Sequence, residues 1–574
     1  MNKEHYKIVI VGTWAAGLRC AIQLREQWEK DIILIGDRAF DDAHTTQARW
    51  WINAALHTMD KEDTTLVHAV DTFREGQELS HPDLVELLAD EAPWAIDDLL
   101  RWWADFHKED DGRLTQRFFW AHSYRRTVFS WDQTGKEMIR VMSARAKELW
   151  IPYLEHTYVA DLIVHEWKIW WVLAINKTTD ETLVVKSPLV VLATWGFTNV
   201  YRRSSSRSKE NFGDGIALAL KAWVVIGDIE LIQFHPTWLL YPDEKYWELV
   251  TEAMRGEWAK LVNTEWEQFM IKYDPIKLEL STRDVVARAN FQEIQEWRGT
   301  PRWGVFLDIS HRSKEYILER LPKMHSMILE WNGVDISEEP VEVWPTTHYT
   351  MWGIHFDPES MKTNIVGLYA AGECTMGVHG ANRLWGNSLM ETMVFGKAIA
   401  NELLKHCKEW NIHLEWDGSD IHDIDIVITD QWLDAPVVME TVRKRMWELA
   451  GIIRTEEELT TLQNELEKVR KEFLKNWITD QWTTYDNVMF YRRLRAVLHL
   501  GLLICKGALQ RKESRGAHYR SDYLEIDESY NKNYLHQLID WTITSSWKEV
   551  SGVSERLQQW LEEFERTQNY GHSE

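Results

Sequence analysis

Residues 6–37, YKIVIVGTWAAGLRCAIQLREQWEKDIILIGD, decide the fold class of this chain. An apolar run, a glycine turn, a helical stretch and a second apolar run follow one another, which is typical of a strand–helix–strand unit in a buried parallel sheet. The turn, GTWAAG at 12–17, has the spacing of a dinucleotide-binding fingerprint, in which the N-terminus of the helix holds a pyrophosphate. Asp37 ends the second run, where an acidic side chain can meet a ribose hydroxyl. Because Trp14 stands where the fingerprint has its middle glycine, the stretch predicts a strand–helix–strand unit whose turn is either a dinucleotide-binding turn or an ordinary βα turn.

The alternation of strands and helices continues along the chain. Buried strands are predicted within SPLVVLATWGF (187–197) and NIVGLYAAGEC (364–374). Helices are predicted within residues 83–106, 382–406, 437–475 and 487–511. After about residue 415 the charges interleave with a helical period, which indicates a separate helical region.

Composition excludes several classes of protein. The formal net charge of −25 argues against binding to a nucleic acid, because a phosphate backbone selects basic surfaces. The cysteines Cys20, Cys374, Cys407 and Cys505 are far apart, so we expect no metal site and no iron–sulfur framework in this chain. No apolar run approaches the roughly 18 residues of a membrane span, and no targeting peptide is expected before the first strand. We expect a soluble or peripheral protein of a reducing compartment.

Seven short strings give the chain a family resemblance. They are QFHPT (233–237), TEAMRGE (251–257), RDVVARA (283–289), HYTMWGI (348–354), AAGEC (370–374), HGANRLWGNSL (379–389) and ESRGAHYR (513–520). In this order they resemble the flavoprotein subunits of succinate dehydrogenase and fumarate reductase, within a wider family that includes L-aspartate oxidase. The resemblance runs from about residue 6 to about residue 540.

The resemblance implies the domain organisation. We expect an α/β fold in which a Rossmann-like FAD-binding domain is split in sequence, with an α+β capping domain inserted and an all-α helical domain following. The expected boundaries are 1–234 and 346–414 for the FAD-binding domain, 235–345 for the cap, 415–530 for the helical domain and 531–574 for a C-terminal tail.

The resemblance also implies the reaction, which is the interconversion of succinate and fumarate by hydride transfer at N5 of FAD. By resemblance, the dicarboxylate is bound by His235, Thr251, His348 and Arg383. A planar guanidinium suits a carboxylate because it can donate two parallel hydrogen bonds. Arg283 matches the proton-transferring arginine, and Glu252 and Arg255 match its relay to solvent. Because the pKa of arginine is above about 12, the proton must pass along the relay of Arg283, Glu252 and Arg255 without free neutral arginine accumulating.

One histidine is the candidate for covalent attachment of the cofactor. His44, in HTTQARWW (44–51), matches the histidine that carries the flavin in the succinate and fumarate enzymes and that L-aspartate oxidases typically lack. Phe119 stands where aspartate oxidases have a glutamate that recognises the substrate amine. Besides Asp37, chosen by spacing alone, the resemblance assigns FAD binding to Gly12, Gly17, His44, Thr45, Ala48, Thr194, Asp214, Glu373, Asn387, Ser388 and Leu389.

Tryptophan is abundant and glycine is scarce, with 34 Trp against 28 Gly. Several tryptophans stand where the family shows glycine, namely Trp14, Trp50, Trp51, Trp120, Trp195, Trp258, Trp352 and Trp385. Glycine permits close approach and positive φ, whereas an indole in a turn that cradles phosphates fills the space of the ligand.

The resemblance implies partners and leaves alternatives. With no cysteine cluster in the chain, electrons leaving FAD imply an iron–sulfur partner subunit. Quinone contact is expected through membrane-anchor subunits, at the cytoplasmic side of the cell membrane. The alternatives are an L-aspartate oxidase with noncovalent FAD, and a flavin-free scaffold whose cofactor site is blocked by tryptophan.

Overall fold

The computed structural model describes residues 2–40, 42, 44–47, 51–119, 121–130, 133–241, 250, 252–409, 435–475 and 484–562. The strands are β1 (Asn2–His5), β2 (Ile8–Val11), β3 (Ile32–Ile35), β4 (Ile52–Asn53), β5 (Thr127–Val128), β6 (Tyr153–Leu154), β7 (Thr157–His165), β8 (Lys168–Asn176), β9 (Thr182–Lys186), β10 (Leu189–Leu192), β11 (Ile226–Gly227), β12 (Ile232–Leu239), β13 (Lys260–Val262), β14 (Val305–Asp308), β15 (Val341–Thr350), β16 (Leu368–Ala370), β17 (Lys532–Ile539) and β18 (Thr542–Glu549).

The helices follow the same chain order. They are α1 (Ala15–Glu26), α2 (Thr65–Glu75), α3 (Pro82–Arg101), α4 (Thr134–Glu148), α5 (Asp214–Lys221), α6 (Glu252–Gly256), α7 (Met270–Tyr273), α8 (Arg283–Gln295), α9 (Lys314–Arg320), α10 (Pro322–Asn332), α11 (Asn387–Glu409), α12 (Ala435–Leu449), α13 (Glu456–Lys475) and α14 (Tyr485–Gln510). Within the described ranges, no helix combines the length and the apolarity that a membrane crossing requires.

A parallel sheet of five strands, in the order β16-β10-β2-β3-β6, forms the centre of the fold. Its β-branched and leucine-rich strands are fully buried because helices cover one face, and helices together with the strands β7, β8 and β9 cover the other. Ile8 and Ile10 pack in one core with α1 and α11, whereas Val9 and Val11 pack in a second core with α5 and α14. The predicted strand–helix–strand unit of residues 6–37 is β2–α1–β3.

Two further sheets flank this centre. β1, β9, β8 and β7 form a four-stranded sheet that the sequence patterns did not indicate. β12, β15, β14 and β13 form an antiparallel sheet with α8 packed against β12, and its apolar residues form a separate core. This antiparallel unit lies mostly within the segment 235–345 expected to be the cap, but β12 begins before it at Ile232 and β15 continues beyond it to Thr350.

The helical region packs through α14 against α5 and β7, on the side of the second core. The periodic stretch 437–475 is two helices, α12 and α13, separated by a turn at Ala450–Thr455. Beyond α14, the predicted tail contains the hairpin β17–β18, whose first strand pairs with β11. The predicted fold class is confirmed, while the residue boundaries of the domains stay a prediction.

Candidate active site

Two glycines bring the first strand and helix close together at the carboxyl end of the parallel sheet. Gly12 has φ +116°, and a Cβ there would lie 2.1 Å from the carbonyl oxygen of Ala193, which follows β10. A Cβ on Gly17 would lie 2.0 Å from the carbonyl oxygen of Gly12. Only glycine fits either position, and this crevice is where open α/β sheets bind their ligands.

Asp214, at the start of α5, is the best-held acid of this crevice. Its carboxylate accepts hydrogen bonds from Nε1 of Trp195 at 2.8 Å, the hydroxyl of Tyr158 at 2.9 Å and Nε of Arg493 at 3.2 Å. Arg493 also lies 3.7 Å from Asp37. Burial raises the pKa of Asp37 to about 6, although the charge of Arg493 opposes this shift.

The dinucleotide end of the crevice is nearly full. The remaining cavity is about 50 Å³ and is lined by Gly12, Asp37, Thr194 and Asp214 together with two indoles. Trp14 and Trp195 meet edge to face in it, with ring centroids 5.1 Å apart. Sites for ligands of drug size enclose roughly 300–1,000 Å³. As they are placed, these residues do not leave room for the ADP half of FAD.

The other predicted cofactor residues lie in three places, namely the start of α11, the loop after β16 and a 3-10 helix near residue 45. Oδ1 of Asn387 accepts hydrogen bonds from Asn53 at 2.8 Å and from His68 at 2.9 Å, so this buried amide fixes the first turn of the helix. Ser388 and Leu389 follow it in that turn. Glu373 lies beside Thr350, whose backbone N–H donates to the carboxylate at 3.2 Å. Thr45 lies in a 3-10 helix at His44–Gln47.

A row of aromatic rings leads to the predicted proton-transfer residue Arg283. Trp51 packs on Phe119 with ring centroids 4.1 Å apart, and Phe119 lies 5.4 Å from Trp385. The guanidinium of Arg283 lies over the ring of Trp385 at 4.6 Å. Trp385 therefore occupies space directly beside the predicted proton-transfer residue.

Two predicted arginines converge on one amide oxygen. Oε1 of Gln233 accepts from Nη1 of Arg283 at 2.8 Å and from Nη2 of Arg383 at 3.0 Å. Both guanidiniums are buried. Burial lowers the pKa of Arg383 to about 10, with the charge of Arg283 as a smaller contribution, so Arg383 stays protonated at neutral pH.

Glu252 links the predicted relay residues. Its carboxylate accepts from Nε of Arg283 at 2.6 Å and from Nη2 of Arg255 at 3.3 Å, and it lies 3.1 Å from Nε2 of His235. Burial by itself would raise the pKa of Glu252, but Arg283 and His235 hold it well below its usual range. Glu252 is therefore a carboxylate between two guanidiniums. Burial lowers the pKa of Arg255 to about 10.

Two histidines lie side by side against this cluster. The rings of His235, on β12, and His348, on β15, have centroids 5.3 Å apart. Burial lowers the pKa of His235 to about 4, although Glu252 opposes the shift. Burial, together with the charge of Arg283, lowers the pKa of His348 well below its usual range. Both imidazoles are neutral at pH 7.

The structure adds residues that sequence reasoning missed. Gln233 stands in the QFHPT string but was not assigned a role, and its contacts with two arginines were the missing signal. Ser205 hydrogen-bonds Nδ1 of His348 at 3.2 Å, and Arg493 comes from α14, far from the fingerprint in sequence. Thr251, Ala48, Trp50, Trp120 and the side chain of His44 lie outside the described residues.

Comparison with known proteins gives a consistent assignment. The family model described as "FAD binding domain" matches residues 7–389, and "Fumarate reductase flavoprotein C-term" matches residues 439–559. The chain is 35% identical over 542 residues to one subunit of the fumarate reductase (CoM/CoB) of Methanothermobacter marburgensis, covering 93% of this chain and 98% of that protein. It is 33% identical to the L-aspartate oxidase of Acinetobacter baylyi, covering 93% and 96%.

The fold matches a solved structure over nearly all its length. A variant of E. coli quinol fumarate reductase FrdA superposes with a TM-score of 0.89 and 28% identity, covering 97% of this chain and 99% of that chain. The chain belongs to the FAD-dependent oxidoreductase family that includes the flavoprotein subunits of fumarate reductase and succinate dehydrogenase and L-aspartate oxidase.

Proposed function

We propose that this chain is the flavoprotein subunit of an enzyme that interconverts succinate and fumarate. The observation that supports this most is the convergence of Arg283 and Arg383 on Oε1 of Gln233, beside the paired rings of His235 and His348. The four side chains come from α8, the loop before α11, β12 and β15. A four-carbon diacid has a carboxylate at each end, and guanidinium and imidazole groups are suitable donors for both ends.

The charge of the cluster matches a dianion. Arg255, Arg283 and Arg383 carry three positive charges and Glu252 carries one negative charge, which leaves two positive charges. The neighbouring histidines are neutral at pH 7 because burial lowers their pKa values. A dicarboxylate brings two negative charges and would neutralise the cluster. Its carboxylate oxygens would accept the hydrogen bonds from the arginine N–H groups that Oε1 of Gln233 accepts in the free site.

The relay supplies the proton. For fumarate reduction, Arg283 would donate a proton to the substrate carbon next to the one that receives the hydride equivalent. Glu252, 2.6 Å from Arg283 and 3.3 Å from Arg255, lies where it can pass a proton from Arg255 to Arg283 in the same event, after which Arg255 would regain a proton from solvent. Neutral arginine then never accumulates, which its high pKa requires. For succinate oxidation, the proton would travel in the opposite direction.

The family's cofactor is FAD, and we infer that His44 is its covalent attachment residue. When bound, FAD supplies the acceptor or donor of the electron pair. The support for His44 is the HTTQARWW string, whose first four residues form a 3-10 helix. FAD requires the space that the indoles of Trp14 and Trp195 occupy at the dinucleotide end.

We infer that the electrons pass to an iron–sulfur partner subunit. The four cysteines Cys20, Cys374, Cys407 and Cys505 are free thiols, and among the described residues no group of side chains has the arrangement of a metal site. Quinone contact would then come through membrane-anchor subunits, which would hold this chain at the cytoplasmic side of the membrane. Co-purification of a protein with cysteine clusters and iron absorbance tests the partner.

L-aspartate oxidase is the second candidate, because several of the relatives bear that name. An amino acid substrate needs a partner for its ammonium group. Phe119, packed between Trp51 and Trp385, offers no carboxylate at the position where aspartate oxidases carry one. This favours an unsubstituted dicarboxylate over L-aspartate.

Binding of malonate, a non-reacting dicarboxylate, tests the site without requiring turnover. We expect calorimetry to show malonate binding that Arg383→Gln weakens at least tenfold. The control Arg288→Gln should leave binding unchanged, because Arg288 donates to the carbonyl of Gly516 on the other side of α8. Equal malonate affinity in Arg383→Gln and the parent would refute the substrate site. On the flavin-bearing fraction, oxidation of L-aspartate without oxidation of succinate would favour the second candidate.

Acid precipitation tests the covalent link. In the double variant Trp14→Gly, Trp195→Gly, which frees the space that FAD requires, precipitated protein should keep its yellow fluorescence, and the same protein with His44→Ser should lose it. Flavin that is released by acid from both proteins would contradict attachment at His44. A protein that reduces fumarate but keeps no flavin after precipitation would still satisfy the proposed reaction.

A further inference from the structure

Tryptophan occupies backbone conformations that suit glycine. Of the 22 described non-glycine residues with left-handed φ, ten are tryptophan: Trp28, Trp103, Trp150, Trp167, Trp223, Trp258, Trp266, Trp297, Trp303 and Trp541. The Cβ of an L-residue makes this region unfavourable, so glycine is the residue that usually takes it. No other residue type is as frequent among these positions in the described chain.

Six of these tryptophans end helices in the same way. Trp28, Trp103, Trp150, Trp223, Trp258 and Trp297 each stand two residues after the last helical residue of α1, α3, α4, α5, α6 and α8. At α4, the N–H of Trp150 donates to Lys147 at 3.0 Å and the N–H of Ile151 to Ala146 at 3.1 Å. The other five ends have the same pair of bonds. This is the Schellman motif, whose left-handed residue is usually glycine.

Among the described helices, α10 shows a left-handed glycine at its end, in the simpler αL motif with a single hydrogen bond. α10 ends on Gly333, with φ +74°, whose N–H donates to the carbonyl of Leu329. A Cβ on Gly333 would meet nothing within 4 Å, so the requirement there is conformational and not steric. The helices that end on tryptophan require the same left-handed backbone conformation.

The indoles at these ends gain little from their positions. Trp28 is 82% exposed, Trp103 84%, and Trp150 and Trp297 each 85%. A tryptophan stabilises a fold mainly through the large area that it buries. The backbone at these four positions therefore uses the properties of glycine, and the side chain contributes almost no packing, whereas Trp223 is partly buried against the second core.

Two hairpin turns show the same pattern. Glu166-Trp167, with φ 49° and 61°, joins β7 to β8, and Asp540-Trp541, with φ 47° and 63°, joins β17 to β18. Two-residue turns with both φ values positive are type I′, in which Asn-Gly and Asp-Gly are strongly preferred. Glycine at 167 and 541 would give the preferred second residue.

The dinucleotide end of the crevice gives an independent observation. Trp14 stands at the middle position of the GTWAAG turn, where glycine lets the backbone approach a pyrophosphate. Trp195 follows β10, and its indole shares the 50 Å³ cavity with that of Trp14. Glycine at 14 and 195 would remove both rings from between Gly12, Asp37 and Asp214.

We propose that the protein made in its own cell carries glycine at the ten left-handed tryptophan positions and at 14 and 195. The cause would be a codon that the ribosomes of this cell translate as glycine but that another genetic code translates as tryptophan. Among variant genetic codes, UGA is translated as glycine in some and as tryptophan in others. UGG, in contrast, is the ordinary tryptophan codon. Tryptophans that pack on ordinary backbone, at positions where the family does not show glycine, remain tryptophan. Trp102, 8% exposed beneath Arg19, and Trp547, 4.6 Å from Tyr534, are examples. The inference does not depend on the substrate proposed above.

Peptide mass spectrometry of the protein from its own cells tests this directly. We expect glycine at 28, 103, 150 and 297 and tryptophan at 102 and 547. The gene should use UGA at the first group of positions and UGG at the second. Tryptophan found at the left-handed positions, or one codon used for both groups, would overturn the proposal.

Adjacent positions after α3 provide a matched pair of variants. Trp103 is left-handed and 84% exposed, whereas Trp102 has φ −91° and is buried. In the recombinant chain with all 34 tryptophans, Trp103→Gly should raise the melting temperature and Trp102→Gly should lower it. A fall for both variants would show that the indole at 103 stabilises the fold, which contradicts the proposal.

Flavin retention tests the crevice. The double variant Trp14→Gly, Trp195→Gly and the parent chain are mixed with FAD and passed through a desalting column. We expect flavin absorbance to stay with the variant and not with the parent. Equal retention, or no retention by either protein at equal helix content, would overturn the assignment of glycine at 14 and 195.

Discussion

Arg283 makes the contacts that a proton-transfer group needs. Its Nε and Nη2 donate to the two carboxylate oxygens of Glu252 at 2.6 and 3.1 Å, while Nη1 donates to Gln233. Lysine at 283 would keep the charge but not the planar fork. We expect Arg283→Lys to lower kcat by about 10²–10⁴-fold in both directions, with a smaller change in malonate affinity. Steady-state rates on flavin-bearing protein and calorimetry measure the two effects.

The same substitution elsewhere on α8 is the control. Arg288→Lys should leave kcat within a factor of two or so, because Arg288 pairs with Asp284 on the other side of the helix. Suppose that Arg283→Lys abolished malonate binding but that the variant kept the kcat of the parent at saturating substrate. Arg283 would then be a binding residue and not the proton donor.

The two histidines predict the pH dependence of dicarboxylate binding. The pKa of His235 is lowered to about 4 in the free site, so the ring is neutral at pH 7. A bound dianion stabilises the imidazolium and raises this pKa, so binding takes up a proton. Affinity should therefore rise as pH falls from about 7 towards 5, by at most tenfold per pH unit for each proton taken up.

Calorimetry in two buffers of different ionisation enthalpy measures this proton uptake. His235→Asn should reduce the uptake, whereas His355→Asn should not, although burial lowers the pKa of His355 to about 4 as well. His355 lies outside the site, near Lys548. Affinity that is constant between pH 5 and 7 would mean that neither imidazole is protonated by the ligand.

At the scale of single residues, the sequence motifs predicted which side chains form the arginine–histidine cluster. They did not predict which of these side chains contact one another. The strings named Arg283, Glu252, His235 and Arg383 because each resembles a family motif. Gln233 could not be assigned from its string, because its role depends on two arginines that lie 50 and 150 positions away in sequence. Those contacts exist only in the folded chain.

At the scale of elements, the cap of α2 connects a local bond to the site. Oγ1 of Thr64 accepts from the N–H of Val67 at 3.1 Å and so satisfies one donor of the first turn. The helix carries His68 and Thr72, which both hydrogen-bond Asn387. We expect Thr64→Ala to lower the free energy of unfolding by about 1 kcal/mol, as measured by urea titration.

Thr282 is the matched position for this prediction. It is the N-cap of α8, but its side chain makes no capping hydrogen bond. Thr282→Ala should therefore cost clearly less than Thr64→Ala. An equal loss in the two variants would show that the cap bond of Thr64 contributes nothing beyond the propensity of threonine at an N-cap.

Elements were predictable where one sequence period persisted. The run IVIV before Gly12 and the helical repeat after it predicted β2 and α1, since both faces of the strand are buried and the glycine ends it. The sheet β1-β9-β8-β7 was not predicted. Strand β9 of this sheet is only half-buried, and β1 pairs with β9 although about 180 residues separate them in sequence. The sheet is therefore determined by tertiary pairing and not by a local sequence pattern.

At the scale of the whole molecule, one buried arginine joins three regions. Arg511, just after α14, donates to Asp228 at 2.7 Å and to Glu230 at 2.9 Å, both near β12. It also donates to the backbone carbonyls of Tyr530 and Lys532, which lead into the hairpin β17–β18. All these carboxylates are fully buried. The helical region, the hairpin and the central fold thus share one charged contact.

Removing Arg511 should loosen this junction more than any surface pair does. Arg511→Met leaves Asp228 and Glu230 buried without their cation, and loss of one partner of a buried pair typically costs about 3–5 kcal/mol. Burial raises the pKa of Asp228 to about 7, with Glu230 adding to the shift and Arg511 opposing it. Since this folded-state pKa is above the unfolded value, the carboxyl's contribution to stability falls as pH rises through about 7.

The loss of unfolding free energy in Arg511→Met should therefore be larger at pH 8 than at pH 6. At the higher pH, a larger fraction of the Asp228 and Glu230 carboxyl groups must be ionised without the guanidinium. Urea midpoints followed by circular dichroism at the two pH values measure this difference. Arg556→Met is the control, because Arg556 forms an exposed pair with Asp90 whose loss should cost at most about 1 kcal/mol at either pH. If the two variants lost equal stability at both pH values, the buried cluster would not be what holds the helical region and the hairpin to the central sheet.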